Sequence, residues 1–519
     1  NDTEAFKWYG KSAEMGDADG QSNLGRCYSN GRGVAKDEKE AFKWFRKSAD
    51  QENAGGQNGI GWCYALGIVV AKDEKEAFKW YTKSAEKGNA YGQSNLGWCY
   101  ANGRVVTKDE KEAFKWFTKS VKQGNALGQN SLGVCYEKGI GVEKDTKEAV
   151  RWYTKSAEQG NAAGQSNLGC CYSNGRGVEK NEKEAFKWLK KSADQGNAYG
   201  QNSLGVCYEN GIGVEKDIKE AVRWYTKSAE QGNAGGQNSL GTCYRDGTGV
   251  EKDQRTAFIW FTKSAEQDND QGQGNLGCCY DTGRGVVKDE KEAVKWYRKS
   301  AELGNSSSQI NLGVCYANGK GVEKDEKEAF KWYTKSAEQG NANAKINLGR
   351  CYEEGKGVAK DEKEAVKWYT KAAEQGNADG MINLAWCCSS GIGLLKDEKE
   401  AVKWYRKAAD LGNGYGYDNL GRCYESGRGI GKDEKEAVKC YIKAAEQGNA
   451  GGQNNLGRCY ETGKGVAKDE EEAVKWYTKA AEQGNSDGQI NLARCHANGI
   501  GVPKNELQQS TVINNALGK

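Results

Sequence analysis

Residues 89–124 read NAYGQSNLGWCYANGRVVTKDEKEAFKWFTKSVKQG and contain one complete structural unit of this protein. Asn89 is suited to cap a helix, and the small and apolar residues that follow it recur at helical spacing as far as Gly103. Asp109 begins a second amphipathic segment, with Glu112 three residues later in a capping-box arrangement, and a glycine ends it. The stretch therefore predicts a helix A, a connector and a helix B.

This unit is repeated along the chain with a period of 36 residues. Cysteines recur at that period from Cys27 to Cys495 without a gap, which gives fourteen copies. Tryptophans keep the same period from Trp8 to Trp476, except that Cys440 replaces one ring. Neither helix can bury its apolar face alone, so each copy must stack on its neighbours. The sequence predicts an all-α fold, an α/α solenoid of helix–turn–helix repeats.

The composition argues against several classes of protein. The 519 residues include 71 glycines but 1 proline, and 16 tryptophans but 1 histidine. The presence of a single histidine, His496, argues against histidine-based catalysis. The 76 basic and 72 acidic residues leave a net charge of +4, so we expect no nucleic-acid binding by bulk charge. There is no apolar run of about 18 residues, so no membrane span is expected. We expect no enzymatic activity and no cofactor.

The regular cysteines are interpreted as small core residues. Equivalent helices of neighbouring repeats should lie about 8–10 Å apart, whereas a disulfide needs Cα atoms within about 7 Å, so we expect no disulfide bonds. Adjacent cysteines occur at 170–171, 278–279 and 387–388. These pairs lack nearby histidines or further cysteines, so no metal site is expected. The cysteines that recur every 36 residues are called the cysteine ladder. Cys170 and Cys278 do not belong to it and are predicted to be the reactive thiols. The many unpaired thiols fit a reducing compartment and predict a cytoplasmic location.

The repeat resembles the Sel1-like repeat over residues 1–503. One copy shows the pattern at Leu456, Gly457, Tyr460, Gly463, Gly465, Val466, Ala473, Trp476, Tyr477, Ala480, Ala481 and Gly484. The resemblance implies a tetratricopeptide-like, right-handed α/α superhelix and an adaptor role in protein complexes, with no shared catalytic residues. Gly452 and Cys459 depart from the residues usual in the family. Cysteine-rich relatives pair two cysteines within a repeat, but helix B here has no partner cysteine, so their disulfides cannot be carried over.

The ends of the chain differ from its middle. Residues 1–16 align with helix B of a leading repeat whose helix A is missing, which predicts a longer natural chain. Residues 17–504 are predicted to be tandem repeats. Residues 505–519 are predicted to form a degenerate capping helix at a natural C-terminus. The expected total is 29 helices.

Helix A positions that face away from the core are the candidate binding residues. On a helical wheel, Leu96 and Tyr100 point to the core, whereas Tyr91, Ser94 and Trp98 point away. A column is the set of equivalent positions in successive repeats. The residue type varies along the columns that contain Tyr91 and Trp98, as expected where packing does not fix the residue. Near the N-terminal end they predict an aromatic patch formed by Trp62, Tyr91, Trp98 and Leu127. The alternative is that these rings fold onto adjacent A helices.

Near the C-terminal end the same columns predict a cationic patch. Its members are Arg350, Arg422, Arg458 and Arg494, which would line up with Tyr415, and Trp386 is a further candidate binding residue in this part of the chain. An acidic ligand would suit this patch. Alternatively, the arginines pair with glutamates three residues on, at Glu353, Glu425 and Glu461, an arrangement in which Arg26 and Arg494 lack a partner. One extended peptide could use both patches.

These observations predict a non-enzymatic scaffold that binds a peptide or protein along its inner A-helix groove. A regulatory or targeting arm of a longer enzyme, such as a protein kinase, is the alternative. The full-length gene product would distinguish them. A thiol redox or metal protein is disfavoured by the single cysteine per repeat.

Overall fold

The regular elements of this protein are short antiparallel helices of nearly constant length. A computed structural model describes residues 1–103 and 105–501, and in these residues 28 helices and no strands are found. The chain divides into two compact units, Asn1–Gln267 and the part from Asp268 onward. Odd-numbered helices are type B and even-numbered helices are type A, so the all-α solenoid prediction is confirmed. The predicted capping helix in residues 505–519 lies outside the described residues.

The first unit contains fifteen helices. They are α1 (Asp2–Glu14), α2 (Ala18–Asn30), α3 (Glu38–Asp50), α4 (Ala54–Leu66), α5 (Glu74–Glu86), α6 (Ala90–Asn102), α7 (Glu110–Lys122), α8 (Ala126–Lys138), α9 (Thr146–Glu158), α10 (Ala162–Asn174), α11 (Glu182–Asp194), α12 (Ala198–Asn210), α13 (Ile218–Glu230), α14 (Ala234–Asp246) and α15 (Gln254–Ala265).

The described part of the second unit contains thirteen helices. They are α16 (Asp270–Thr282), α17 (Glu290–Glu302), α18 (Ser306–Asn318), α19 (Glu326–Glu338), α20 (Ala342–Glu354), α21 (Glu362–Glu374), α22 (Ala378–Ser390), α23 (Glu398–Asp410), α24 (Gly414–Ser426), α25 (Glu434–Glu446), α26 (Ala450–Thr462), α27 (Glu470–Glu482) and α28 (Ser486–Asn498).

Side-chain caps set the start of each helix. Asn89 Oδ1 accepts a hydrogen bond from the Gly92 amide at 2.9 Å, as the sequence predicts for helix A. Asp109 Oδ1 accepts from the Glu112 amide at 3.0 Å at the start of helix B. The reciprocal half of the predicted capping box is wrong, because the Asp109 amide donates to the Tyr100 carbonyl and Glu112 instead holds Lys115 at 2.7 Å. The connector thus ties helix B back onto helix A.

The two helices of a repeat approach closely where helix A carries glycine. A Cβ atom added at Gly97 would lie 2.8 Å from the ring of Phe117, so glycine at this position lets the ring approach the backbone of helix A closely. Ser120 Oγ donates to the Ala90 carbonyl at 2.6 Å and joins the same two helices. Trp116 packs on the preceding repeat, against the cluster that contains Tyr81. Each repeat therefore buries the apolar face of the one before it.

The ladder cysteines are core residues, as predicted. Twelve of the fourteen are buried, and Cys99 and Cys423 are half-buried. In the described residues all cysteines are free thiols. Burial raises the pKa of Cys63 to about 12 and that of Cys99 to about 11, so these thiols stay protonated at neutral pH.

Three residues other than glycine adopt positive φ at turn positions that other copies fill with glycine. Glu52 and Asp268 have φ values of 59° and 57°. Val69 has a φ of 65° and stands where Gly33 stands one repeat earlier. A Cβ atom at Gly33 would come within 2.3 Å of the Asp2 carbonyl oxygen of the preceding helix B. Val69 is the most strained of the three because a β-branched residue tolerates the left-handed region poorly.

Replacing Val69 by glycine should stabilise the protein. The change removes left-handed strain of about 1–2 kcal/mol. Glycine also raises the conformational entropy of the unfolded chain, which offsets part of this gain, so we expect the free energy of unfolding to rise by about 1 kcal/mol. The midpoint of urea unfolding, followed by circular dichroism, measures it. The matched control is Val70→Gly, which removes a side chain packed on the core cluster around Phe45 and should lower the midpoint. A lower midpoint for Val69→Gly would contradict the assignment of strain.

Few thiols should react in the native protein. At pH 8 an aromatic disulfide reagent should titrate at most the half-buried cysteines, because the others are buried and many have pKa values raised to about 11 or 12. In denaturant all 18 should react. Of the two thiols predicted to be reactive, Cys170 should react slowly, since burial raises its pKa. Rapid native titration of most thiols would show that the ladder is accessible. The half-buried thiols are Cys99, Cys170, Cys278 and Cys423.

Candidate functional site

A groove on the A helices of the first unit gathers three of the predicted binding residues. Trp62 on α4, Trp98 on α6 and Leu127 on α8 line one cavity of about 380 Å³, here named the aromatic groove. Trp98 is 49% exposed, although it is one of the largest apolar side chains of the helix. An exposed aromatic ring in a concave apolar site is the usual setting of an interface anchor.

Contacts with the core and between neighbouring A helices fix the side chains that line the aromatic groove. Trp62 is half-buried and packs against the core cluster that contains Phe45, which fixes its ring. Asn95 Nδ2 donates to Asn58 Oδ1 at 2.9 Å and joins α6 to α4. Ser94 was predicted to point away from the core, and this is wrong. Ser94 is buried, because its Oγ lies 3.0 Å from Ser120 Oγ on α7 and Gly128 of α8 packs against it.

Tyr91 does not line the aromatic groove. Its ring is 43% exposed, and the guanidinium carbon of Arg26 lies 5.3 Å from the ring centroid. The contact joins α2 to α6 as a cation–π pair. The predicted patch of four residues is therefore a groove of three, with Tyr91 as a separate exposed ring next to a cation.

Two apolar residues of the groove were missed by reasoning from helix A columns. Leu66 ends α4 where other copies carry polar residues, and Val105 replaces a connector glycine. Both are departures from the repeat consensus that point to the same place, and a search for such departures would have found them. Lys72 and Glu74, which pair at 3.1 Å, add one charge of each sign to the lining.

The second unit has two grooves in which some of the predicted cationic residues meet. Trp386 and Arg422 line a cavity of about 250 Å³ together with Tyr405. Arg422 and Arg458 line a more polar groove of about 690 Å³. Arg428, Lys432 and Lys464 also line the polar groove, together with the acidic residues Glu425, Glu434 and Asp487.

Arg350 and Tyr415 line neither of these grooves. Arg350 is exposed on α20, and Tyr415 is exposed on α24, where its carbonyl accepts a hydrogen bond from Asn419. The predicted set of six is therefore dispersed along the second unit.

The predicted pairing of arginines with glutamates three residues on is wrong. Arg458 pairs with Glu425 of the preceding repeat at 2.7 Å, and Arg494 pairs with Glu461 at 2.6 Å. Arg422 instead pairs with the buried Asp418 one turn earlier, at 3.1 Å. Neighbouring A helices lie side by side, so the residue across the helix interface is nearer than the one along the helix.

The same glutamates also hold buried tyrosines. Tyr477 OH donates to Glu461 at 2.8 Å, and Tyr441 OH donates to Glu425 at 2.8 Å. Burial acts to raise the pKa of Glu461, but the hydrogen bonds from Arg494 and Tyr477 outweigh burial and hold it below its ordinary value of 4.5. Arg494, which the sequence left without a partner, is thus part of a Tyr–Glu–Arg network that joins two repeats.

Residues 1–103 and 105–501 contain neither a membrane-spanning helix nor a metal-binding cluster. None of the helices there is both long and apolar enough to cross a bilayer. No cluster of three or more histidine, cysteine or acidic side chains in that part of the chain is arranged to hold a metal ion.

Comparison with known protein families gives one consistent result. The Sel1 repeat pattern matches fifteen times between residues 1 and 508, with full repeats from 18–53 to 450–485. No curated protein sequence matches the chain.

Several solved structures are similar to this chain. A protective antigen present in uropathogenic Escherichia coli strains, which displays an SLR fold, is 37% identical, with 85% of this chain and 93% of that one covered and a TM-score of 0.55. A Sel1 repeat protein from Oxalobacter formigenes is 33% identical over 47% of this chain and 96% of its own, with a TM-score of 0.44. Cysteine rich protein B of Helicobacter pylori is 32% identical, with 25% and 92% covered and a TM-score of 0.21.

The ion pair between Arg494 and Glu461 should couple the last two repeats described. In a double-mutant cycle, Glu461→Gln and Arg494→Gln should show a coupling of about 1–2 kcal/mol at pH 7. The reason is that the Glu461 carboxylate is largely buried and its hydrogen bond with Arg494 is charge-assisted. The pKa of Glu461 is lowered, so this stability is present above pH 4.5 and is lost as the pH falls through the lower, folded value. Urea unfolding at several pH values measures it.

The matched control is the exposed pair Lys475 and Glu472 on α27. Its two side chains are 65% and 30% exposed, so the same cycle should give at most about 0.5 kcal/mol. Equal coupling in the two cycles would show that the network adds nothing beyond an ordinary surface pair.

Proposed function

Because this chain belongs to the Sel1 repeat family, we propose that it is a non-enzymatic scaffold that binds a peptide or protein partner on the A-helix face. The aromatic groove is the observation that carries this proposal. The packing of the repeats uses the ladder tryptophans, tyrosines and leucines, and Trp62 and Trp98 lie outside those ladders. Trp62 packs in part on the core cluster around Phe45, yet both rings line one cavity, and aromatic rings that converge in a cavity are the usual form of a binding site.

The chemistry of the groove favours an apolar anchor with polar flanks. Trp62, Trp98 and Leu127 present apolar surface, and Leu66 and Val105 extend it. Ser131 and Asn95 at the edge offer hydrogen-bonding groups to a peptide backbone. Among the described lining residues the charged ones are Lys72 and Glu74, which pair with each other at 3.1 Å. A partner that presents one bulky apolar side chain fits this arrangement.

The cationic residues of the second unit are proposed as a separate and weaker binding surface for acidic groups. Arg422, Arg458 and Arg494 are already held by carboxylates of the protein, so an acidic ligand would have to compete with those ion pairs. Arg428 is better placed, since it lines both grooves of this unit and donates to the neutral Ser426 hydroxyl at 3.1 Å. Arg350, Trp386 and Tyr415 complete the proposed surface by their exposure.

We further propose a reducing location such as the cytoplasm. The many free thiols of the chain would be exposed to oxidation whenever a repeat opened in an oxidising compartment. The scaffold role applies equally to a free-standing chain and to an arm attached to an enzyme, and the full-length gene product distinguishes the two.

Truncating the rings of the aromatic groove should abolish partner binding. Peptides selected against the whole chain from a random dodecapeptide display library should carry a bulky apolar residue. The affinity of a selected peptide should fall about 30-fold for Trp62→Ala and for Trp98→Ala, because interface anchors are worth about 2 kcal/mol or more each. Isothermal titration calorimetry measures the affinity, and circular dichroism should show unchanged helicity.

The matched control is Trp386→Ala, which removes an equally exposed tryptophan from helix A in the other unit. This variant should bind the selected peptide as the wild type does. If the double variant Trp62→Ala, Trp98→Ala bound with unchanged affinity, the aromatic groove would not be the site.

A further inference from the structure

Among the described B helices, α25 alone lacks the tryptophan that the others carry at that position. In a complete repeat the ring lies between its own helices and the preceding helix B, as Trp80 does against the cluster that contains Phe45 and Ile60. Two cations lie close to that ring, with Arg46 at 5.7 Å and Lys83 at 4.7 Å from its centroid. The ring therefore fills a defined place that is apolar at its base and cationic at its rim.

The missing ring leaves a cavity at Cys440. The thiol replaces the indole on α25 and is 8% exposed. A cavity of about 510 Å³ lies beside it, bounded by α23, α24 and α25, the three helices that would enclose a tryptophan here. Tyr417, Leu420, Tyr424 and Ile442 supply its apolar lining. From the loss of the ring at Cys440 we also predict faster backbone amide exchange around residues 437–445 than in the neighbouring repeats.

The two cations that lie close to Trp80 both have equivalents around the cavity. Arg406 is the equivalent of Arg46, and it donates to Tyr424 OH at 3.0 Å. Lys443 is the equivalent of Lys83, and it lies 5.3 Å from the ring centroid of Tyr417. Both cations are exposed at the rim, so the cavity is entered from solvent.

The charges around the cavity indicate a neutral occupant. Three cations and three carboxylates line it, so their charges balance. These residues are Arg406, Lys439, Lys443, Asp410, Glu436 and Glu446. Lys439 and Glu436 pair with each other at 2.5 Å. A ligand that carried a full charge would gain little from such a rim, whereas a flat aromatic ring gains from both exposed cations.

We propose that this cavity, the indole pocket, binds a tryptophan side chain presented by a partner protein. The sibling repeats define the shape of the occupant, since the same framework elsewhere encloses an indole on a protein backbone. The opening to solvent and the balanced rim suit a neutral side chain that reaches in from outside. The indole pocket shares no residue with the aromatic groove and lies in the other unit, so either can fail without the other.

N-acetyl-tryptophanamide is the probe, because it presents the side chain on a neutral backbone. With the full chain labelled at isoleucine methyl groups, its addition should shift the Ile442 resonance saturably, and the resonance of the buried Ile60 in the other unit should not move. Cys440→Trp restores the consensus ring and should weaken the binding at least tenfold. Cys440→Ala keeps the cavity and should bind as the wild type does.

Four outcomes would overturn the proposal. One is the absence of a saturable Ile442 shift with the wild type, and another is unchanged binding by Cys440→Trp. The third is binding of free indole without binding of N-acetyl-tryptophanamide, which would make the cavity a site for small molecules rather than for a side chain. Equal binding of N-acetyl-leucinamide would likewise remove the requirement for an aromatic ring.

Discussion

The contact between a glycine of helix A and an aromatic ring of helix B is the constraint on which the rest of this structure depends. Gly97 lies against Phe117, and Gly457 lies against Tyr477 in the same way near the other end of the chain. A Cβ atom at either glycine would come within 2.8 Å of the ring. The contact sets the separation of the two helices, and that separation decides which side chains are buried. The burial of the ladder cysteines, the hydrogen bonds from serines of helix B to carbonyls of helix A, and the packing of the repeated tryptophans all depend on this separation.

A chain built on so uniform a contact can be specific only where it departs from the repeat. The aromatic groove depends on residues that differ from the consensus, among them Trp62, Leu66 and Val105. Val69 carries backbone strain in the connector between Leu66 and Lys72, which both line that groove. The indole pocket arises from one lost ring at Cys440. Departures that weaken the array thus coincide with the two surfaces that we propose as binding sites.

Sequence reasoning failed where side chains reach across repeats. Arg458 was expected to pair along its own helix, but it pairs with Glu425 of the neighbouring helix. Ser94 was expected to face solvent, but α8 covers it. A helical wheel describes one helix and gives no distance to the next. The half-formed capping box has a similar reason, because the Asp109 amide is taken by a carbonyl of helix A.

The sequence by itself determined the repeat length, the helix boundaries and caps, the buried ladders and the family, because these depend on spacing along one chain. It also placed Trp62, Trp98 and Leu127 on one surface. Tertiary structure decided that these three share a cavity and that Tyr91 contacts Arg26 instead. It also decided which arginines are held by carboxylates, and that the lost ring at Cys440 leaves open space. The physical reason is that such features depend on distances between helices, which the close packing of each repeat fixes and the order of residues alone does not state.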